Sequence, residues 1–169
     1  MRIIGVDPGL TGGIALYSSG SYKLEDEELI IIEIPITKSL KGRGNEIVWG
    51  SIVDSFDLLI GEADHAFIER VQAMPQEGAS SSFKFGYVAG GIMGIIASRR
   101  IPVTMVEPQK WKHKMGLGAK KDVAVARACQ LFPKHIQYFK GPRGGDKDGP
   151  AEAALIAKYG HDVLLKPNE

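Results

Sequence analysis

The sequence is short of the features that would place the protein outside a reducing, aqueous interior. It has one cysteine, Cys129, so no internal disulfide can form, which fits a reducing compartment. Cys129 falls within an apolar-patterned helical stretch, where packing is its expected role. Histidine is also scarce, and His65, His113, His135 and His161 show no zinc-type spacing. Neither charge dominates: 21 Lys and Arg face 20 Asp and Glu, a net charge of +1, so any nucleic-acid surface has to come from local clustering. The longest uncharged apolar run, residues 85–98, is too short to span a bilayer, and no membrane partner is expected. No signal peptide precedes the first apolar run, and no repeat or low-complexity tract appears. A soluble, intracellular protein is expected.

What the chain does have is an ordinary globular composition, 44% hydrophobic and 24% charged over 169 residues, which suits one domain spanning residues 1–169. Its N-terminal run, Met1 to Tyr17, reads as a buried strand, a Pro/Gly turn and a paired second strand, with Asp7 closing the first. An unpaired charge there would be costly, so a cation is expected opposite Asp7. Asp-Pro-Gly is also good turn chemistry, and turn formation alone would account for Asp7.

Residues 29–35 read as a third strand, reached through the acidic turn Glu25 to Glu28, and the three make an antiparallel meander. A basic loop, residues 38–44, leads to Asn45 as the N-cap of a first helix. That helix runs to about residue 61, with Val48, Ile52, Phe56, Leu59 and Ile60 on one face. Ala66 to Glu69 then forms a short strand parallel to the first, which would bring Asp7 and Glu69 to the same end of neighbouring strands. After the small-residue loop 71–82, a second helix starts near Ser82. It carries a stripe of Gly86, Gly90 and Gly94, which packs on the sheet or a neighbouring helix, or meets another subunit. Residues 101–106 make a fifth strand. The fold class is thus α/β, with a five-stranded mixed sheet (three antiparallel strands, then two parallel) and flanking helices.

Between residues 109 and 121, Lys110, Lys112, Lys114, Lys120 and Lys121 occur with no acid and with Trp111 and His113 interleaved, a candidate phosphate-binding patch or a solvated face. A helix over residues 123–131, a basic loop over 134–145 and an Ala-rich helix starting near Pro150 complete the chain. Asp148 and Glu152 are four apart on that last helix and share a face. Asp7, Glu69, Asp148 and Glu152, with Asp146 nearby, would repel one another strongly without cations. An all-oxygen donor set favours Mg²⁺, with Mn²⁺ as a substitute. Two such ions about 4 Å apart support in-line phosphodiester cleavage.

The ordered set of strand-Asp7-Pro8-Gly9, Phe67-Ile68-Glu69 and Asp148…Glu152 before an Ala-rich helix resembles the RuvC-type Holliday junction resolvases of the RNase H-like superfamily. Glu69 to Pro75 and Ser81 to Gly86 look like the segment after that family's second acid. The resemblance implies a homodimeric, Mg²⁺-dependent endonuclease that cuts four-way DNA junctions, in the cytoplasm or an organellar matrix. Asp7 and Glu69 carry over directly. The family's last two acids are typically aspartates three apart, so Asp146 competes with Asp148, and Asp148 with Glu152 is the expected pair. Lys120 or Lys121 matches a basic position near the scissile phosphate. Gln72, Phe83 or Phe85, with Lys84 between the phenylalanines, would approach the branch point. Two other readings stay open: an actin-like phosphotransferase or ATPase, from Asp7…Thr11-Gly12-Gly13, and a junction-binding protein without activity.

Overall fold

The computed structural model describes residues 1–19, 28–40, 42, 44–70, 78–118 and 123–166. Strands β1 (Arg2–Asp7), β2 (Gly13–Ser18) and β3 (Glu28–Glu33) form the antiparallel meander. β4 (Ile36–Lys38) and β5 (Asn45–Ile47) pair as a separate antiparallel hairpin. β6 (His65–Glu69) lies parallel to β1, and β7 (Val103–Val106) parallel to β6, so the main sheet runs β3-β2-β1-β6-β7. This is the expected five-stranded mixed sheet of an RNase H-like fold.

Period-two alternation divides the core between the two faces of the sheet. Ile4, Val6, Ile14, Leu16, Ala66 and Ile68 face one way, onto helices α1 (Trp49–Ser55) and α2 (Ala79–Ser98). Ile3, Ala15, Tyr17 and Phe67 face the other way, onto α3 (Pro108–Lys114), α4 (Val123–Leu131), α5 (Ile136–Phe139) and α6 (Asp148–Leu165). Asp7 and Glu69 follow the same alternation and fall on the α6 side. Cys129 is half-buried against this second core, in the packing role expected of it.

The Ala-rich helix α6 lies very close to the sheet. Ala151, Ala153, Ala154 and Ala157 are fully buried, and a Cβ on Gly5 of β1 would sit 2.2 Å from the Ala157 backbone nitrogen. A Cβ on Gly149 would likewise meet the Thr11 carbonyl oxygen at 2.0 Å. Backbone rests on backbone at both points, so only glycine fits. The consequence is positional: the first turns of α6 are pressed against the turn that follows Asp7.

Three local expectations are corrected and one open choice narrows. Asn45 is in β5 rather than at a helix N-cap, because residues 36–38 offer it a strand to pair with, and α1 begins at Trp49. Leu59 is 52% exposed although Ile52, Phe56 and Ile60 are buried. The helix widens into a π-helical turn over Phe56–Ile60, which rotates Leu59 out of the apolar face. The stretch after Pro133 is not a simple loop: it holds a 3₁₀ turn (Pro133–His135) and α5, whose Phe139 is fully buried. Of the two readings of the glycine stripe, packing within the chain finds no support among the described residues, none of which comes within 4 Å of a Cβ on Gly86, Gly90 or Gly94, whereas Gly91 takes the ring of Trp49.

Candidate active site

β1 and β6 are adjacent and parallel with Val6 opposite Ile68, so Asp7 and Glu69 emerge side by side at their C-terminal ends. The close seating of α6 brings Glu152 down to the same point. Asp7, Glu69 and Glu152 each offer a carboxylate oxygen within 4.8 Å of the others. Burial, followed by the charges of Glu152 and Glu69, pushes the Asp7 carboxyl up to about 7, against a smaller pull down from Lys112. Burial also raises Glu69, and Glu152 adds to the rise, while a hydrogen bond from Trp111 and the charge of Lys112 hold it down.

Helix α3 supplies both of those moderating groups. Pro108 sits in its first turn, where the missing N–H costs nothing. Arg70, which follows Glu69, pairs with Glu107 just before the helix at 2.9 Å and ties the end of β6 to the start of α3. From there Trp111 is fully buried, and its Nε1–H donates to Glu69 Oε2 at 2.6 Å. Lys112 Nζ lies 3.1 Å from Glu152 Oε1, which makes it the cation expected near Asp7. Sequence reasoning grouped Trp111 with a surface patch. The signal that could have separated it is Pro108, which sets the phase of a helix starting there.

The remaining candidates divide by position. Asp148 opens α6, is exposed and lies outside the three-acid cluster, although its charge contributes to the rise at Asp7. Asp146 is bridged to Lys140 by backbone pairing and by a salt bridge, away from the cluster. Lys110 and Lys114 are exposed on α3. At the start of α2, Phe83 is 74% exposed and Lys84 is exposed, while Phe85 turns partly inward. Gln72, Lys120, Lys121 and the acidic turn before Glu28 lie outside the described residues. Among the described residues no helix is long and apolar enough to cross a membrane.

The donor set fits a divalent cation. Three carboxylates converge from three elements with no sulfur or imidazole among them, and burial, with their mutual repulsion second to it, raises Asp7 and Glu69. Such a cluster can hold a divalent cation beside the Lys112 ammonium, an arrangement suited to phosphate chemistry.

No protein-family model and no curated protein matches the sequence. Solved structures do match in shape. RuvC of Thermus thermophilus in complex with a Holliday junction substrate is 12% identical, with 98% of this chain and 96% of that chain covered and a TM-score of 0.60. Another T. thermophilus RuvC structure is 14% identical, with 97% of each chain covered and a TM-score of 0.59. The yeast mitochondrial Holliday junction resolvase is 11% identical, with 99% of this chain and 83% of that chain covered and a TM-score of 0.52. Nearly end to end, the chain has the fold of the RuvC-type resolvases.

Proposed function

We propose that this chain is a Mg²⁺-dependent endonuclease, one nuclease domain over residues 1–169, that resolves four-way DNA junctions as a homodimer. The observation that carries the reading is the convergence of Asp7, Glu69 and Glu152 within 4.8 Å, in a fold shared with junction resolvases. Asp7, Glu69 and Glu152 would hold the metal, with Asp148 as a fourth acid at the rim. Mg²⁺, or Mn²⁺ in its place, would supply there the positive charge that makes a water acidic enough to attack and that offsets charge on the departing oxygen. The chain's own groups do the rest. Trp111 fixes the Glu69 carboxylate in orientation, and Lys112 holds Glu152 and offsets the negative charge until metal and phosphate arrive. Lys110 and Lys114 are exposed on the same helix and contact backbone phosphates, which position DNA without reading its sequence. Lys120 and Lys121 extend that basic run in sequence. Phe83, Lys84, Phe85 and Gln72 meet the branch point.

A second copy docks through α2. The open stripe of Gly86, Gly90 and Gly94 allows close backbone approach, and a two-fold dimer matches the two symmetric scissile sites of a junction. The cell compartment follows from the function: wherever recombining DNA is held, in cytoplasm or organelle.

The test is cleavage of a synthetic four-way junction beside a plain duplex of the same sequence. Paired nicks in the junction with Mg²⁺, none in the duplex, and none in excess EDTA are expected. Asp7→Asn and Glu69→Gln should each abolish cleavage while junction binding survives, because phosphate contacts by lysines hold the DNA. Full cleavage in EDTA would refute the reading.

A further inference from the structure

A cleft of about 220 Å³ opens between the turn after Asp7 and the first turns of α2. Its walls are Leu10 and Thr11 on one side and Phe85 and Val88 on the other, with Ser81 and Lys84 completing the lining. Val88 is 1% exposed, whereas Lys84 and Ser81 are exposed. The turn wall is closed by the Gly12 N–H donating to the Gly9 carbonyl at 3.0 Å. Phe85 faces the turn across the cleft: its Cε1 lies 3.8 Å from where a Cβ on Gly9 would be, an ordinary contact distance.

We propose that this cleft receives one unstacked nucleobase from the strand being cut. The inference rests on the junction-cleaving reading above and adds to it a base-binding site. Three features select that ligand. The volume of about 220 Å³ suits a single planar ring system. The interior is apolar, with one aromatic ring, and base–aromatic stacking accepts any base face. Lys84, the one cation of the lining among the described residues, matches the phosphate that a flipped base carries with it. Position supplies the link to chemistry: Leu10 and Thr11 lie three and four residues after Asp7, on a turn that meets α6 at Thr11 and Phe85 at Gly9, so acids and cleft share one end of the sheet. Extruding a base costs least where pairing is already interrupted, and a branch point provides that.

The experiment uses four-way junctions carrying 2-aminopurine at one position at a time on either side of the cut phosphate, the cut having been mapped with Mg²⁺. Fluorescence is read with saturating protein in EDTA, where 2-aminopurine brightens on leaving the stack. One position next to the cut should brighten several-fold. Leu10→Phe, which fills the cleft, should abolish that rise, and Phe85→Leu, which keeps the bulk but removes the ring face, should reduce it to less than half. Both variants are first checked for wild-type thermal unfolding and for saturation of the junction by gel shift. If Leu10→Phe fails to fold, Phe85→Leu carries the test. A bound junction with no bright position, or equal brightening in wild type and variants, overturns the proposal. Absence of junction binding or of Mg²⁺-dependent cutting is a separate result, which overturns the reading it rests on.

Discussion

Replacing Asp7 by asparagine should make the metal-free protein more stable while destroying its activity. The structure raises the Asp7 carboxyl from 3.8 to about 7, through burial first and then the charges of Glu152 and Glu69. The sign follows from proton binding. Between pH 3.8 and 7 the folded chain holds this proton and the unfolded chain does not, so stability falls as pH rises through that window and is level above it. At roughly 1.4 kcal/mol per pH unit, keeping the charge folded at pH 8 costs up to about 4 kcal/mol. Asparagine is nearly the same shape and carries no charge, so Asp7→Asn should recover most of this cost. For a chain of this length that is roughly 5–15 °C in Tm. Thermal unfolding followed by circular dichroism in EDTA, from pH 4.5 to pH 8, reads it directly. The gain should be largest at pH 8 and shrink to about 1 kcal/mol at pH 4.5, where the wild-type carboxyl is folded in its neutral form. Added Mg²⁺ should stabilise the wild type more than the variant, because a ligand that binds only the folded state raises its stability. An Asp7→Asn protein no more stable than wild type at pH 8, or one with the same gain at both ends of the range, would refute the argument.

Other substitutions test the neighbouring groups. Trp111→Phe keeps a buried ring but removes the N–H that Glu69 accepts, a hydrogen bond to a charged group worth about 1.5–3 kcal/mol. It should slow junction cleavage at least tenfold at pH 7 and move the pH–rate profile upward, and an unchanged profile would mean the bond does not hold Glu69 down. Among the late acids, cleavage at saturating Mg²⁺ should fall most for Glu152→Gln, less for Asp148→Asn and least for Asp146→Asn, whose side chain is engaged by Lys140. An inactive Asp146 variant beside an active Glu152 variant would reverse that assignment. Gly90→Leu should leave the monomer at least as stable, since none of the described residues lies within 4 Å of a Cβ there and leucine favours helix by about 0.8 kcal/mol over glycine. The same change should shift sedimentation from dimer to monomer, and an unaltered dimer would move the interface elsewhere.

The sequence by itself determined the sheet and the acids that end its strands. Period-two alternation in residues 2–7 and 65–69 sets which side chains share a face, so Asp7 and Glu69 were legible as a pair once both strands were recognised. The alanines around Glu152 likewise announced a helix seated close on its support, and Gly5 beneath it confirms how close. Tertiary structure decided which polar groups complete the site. A lysine-rich run with one tryptophan reads the same whether it is a solvated loop or a helix. Only the packing of α3 turned Trp111 into the core and Lys112 onto Glu152, and left Lys110 and Lys114 outside. The same is true of Asp148 and Glu152, which share a helical face. One turn of difference puts the second among the acids and leaves the first at the rim, because the close seating of α6 fixes which turn meets the ends of β1 and β6. Spacing along a chain fixes periodicity, whereas the phase and depth of a helix against its neighbours come from the contacts that fold it there.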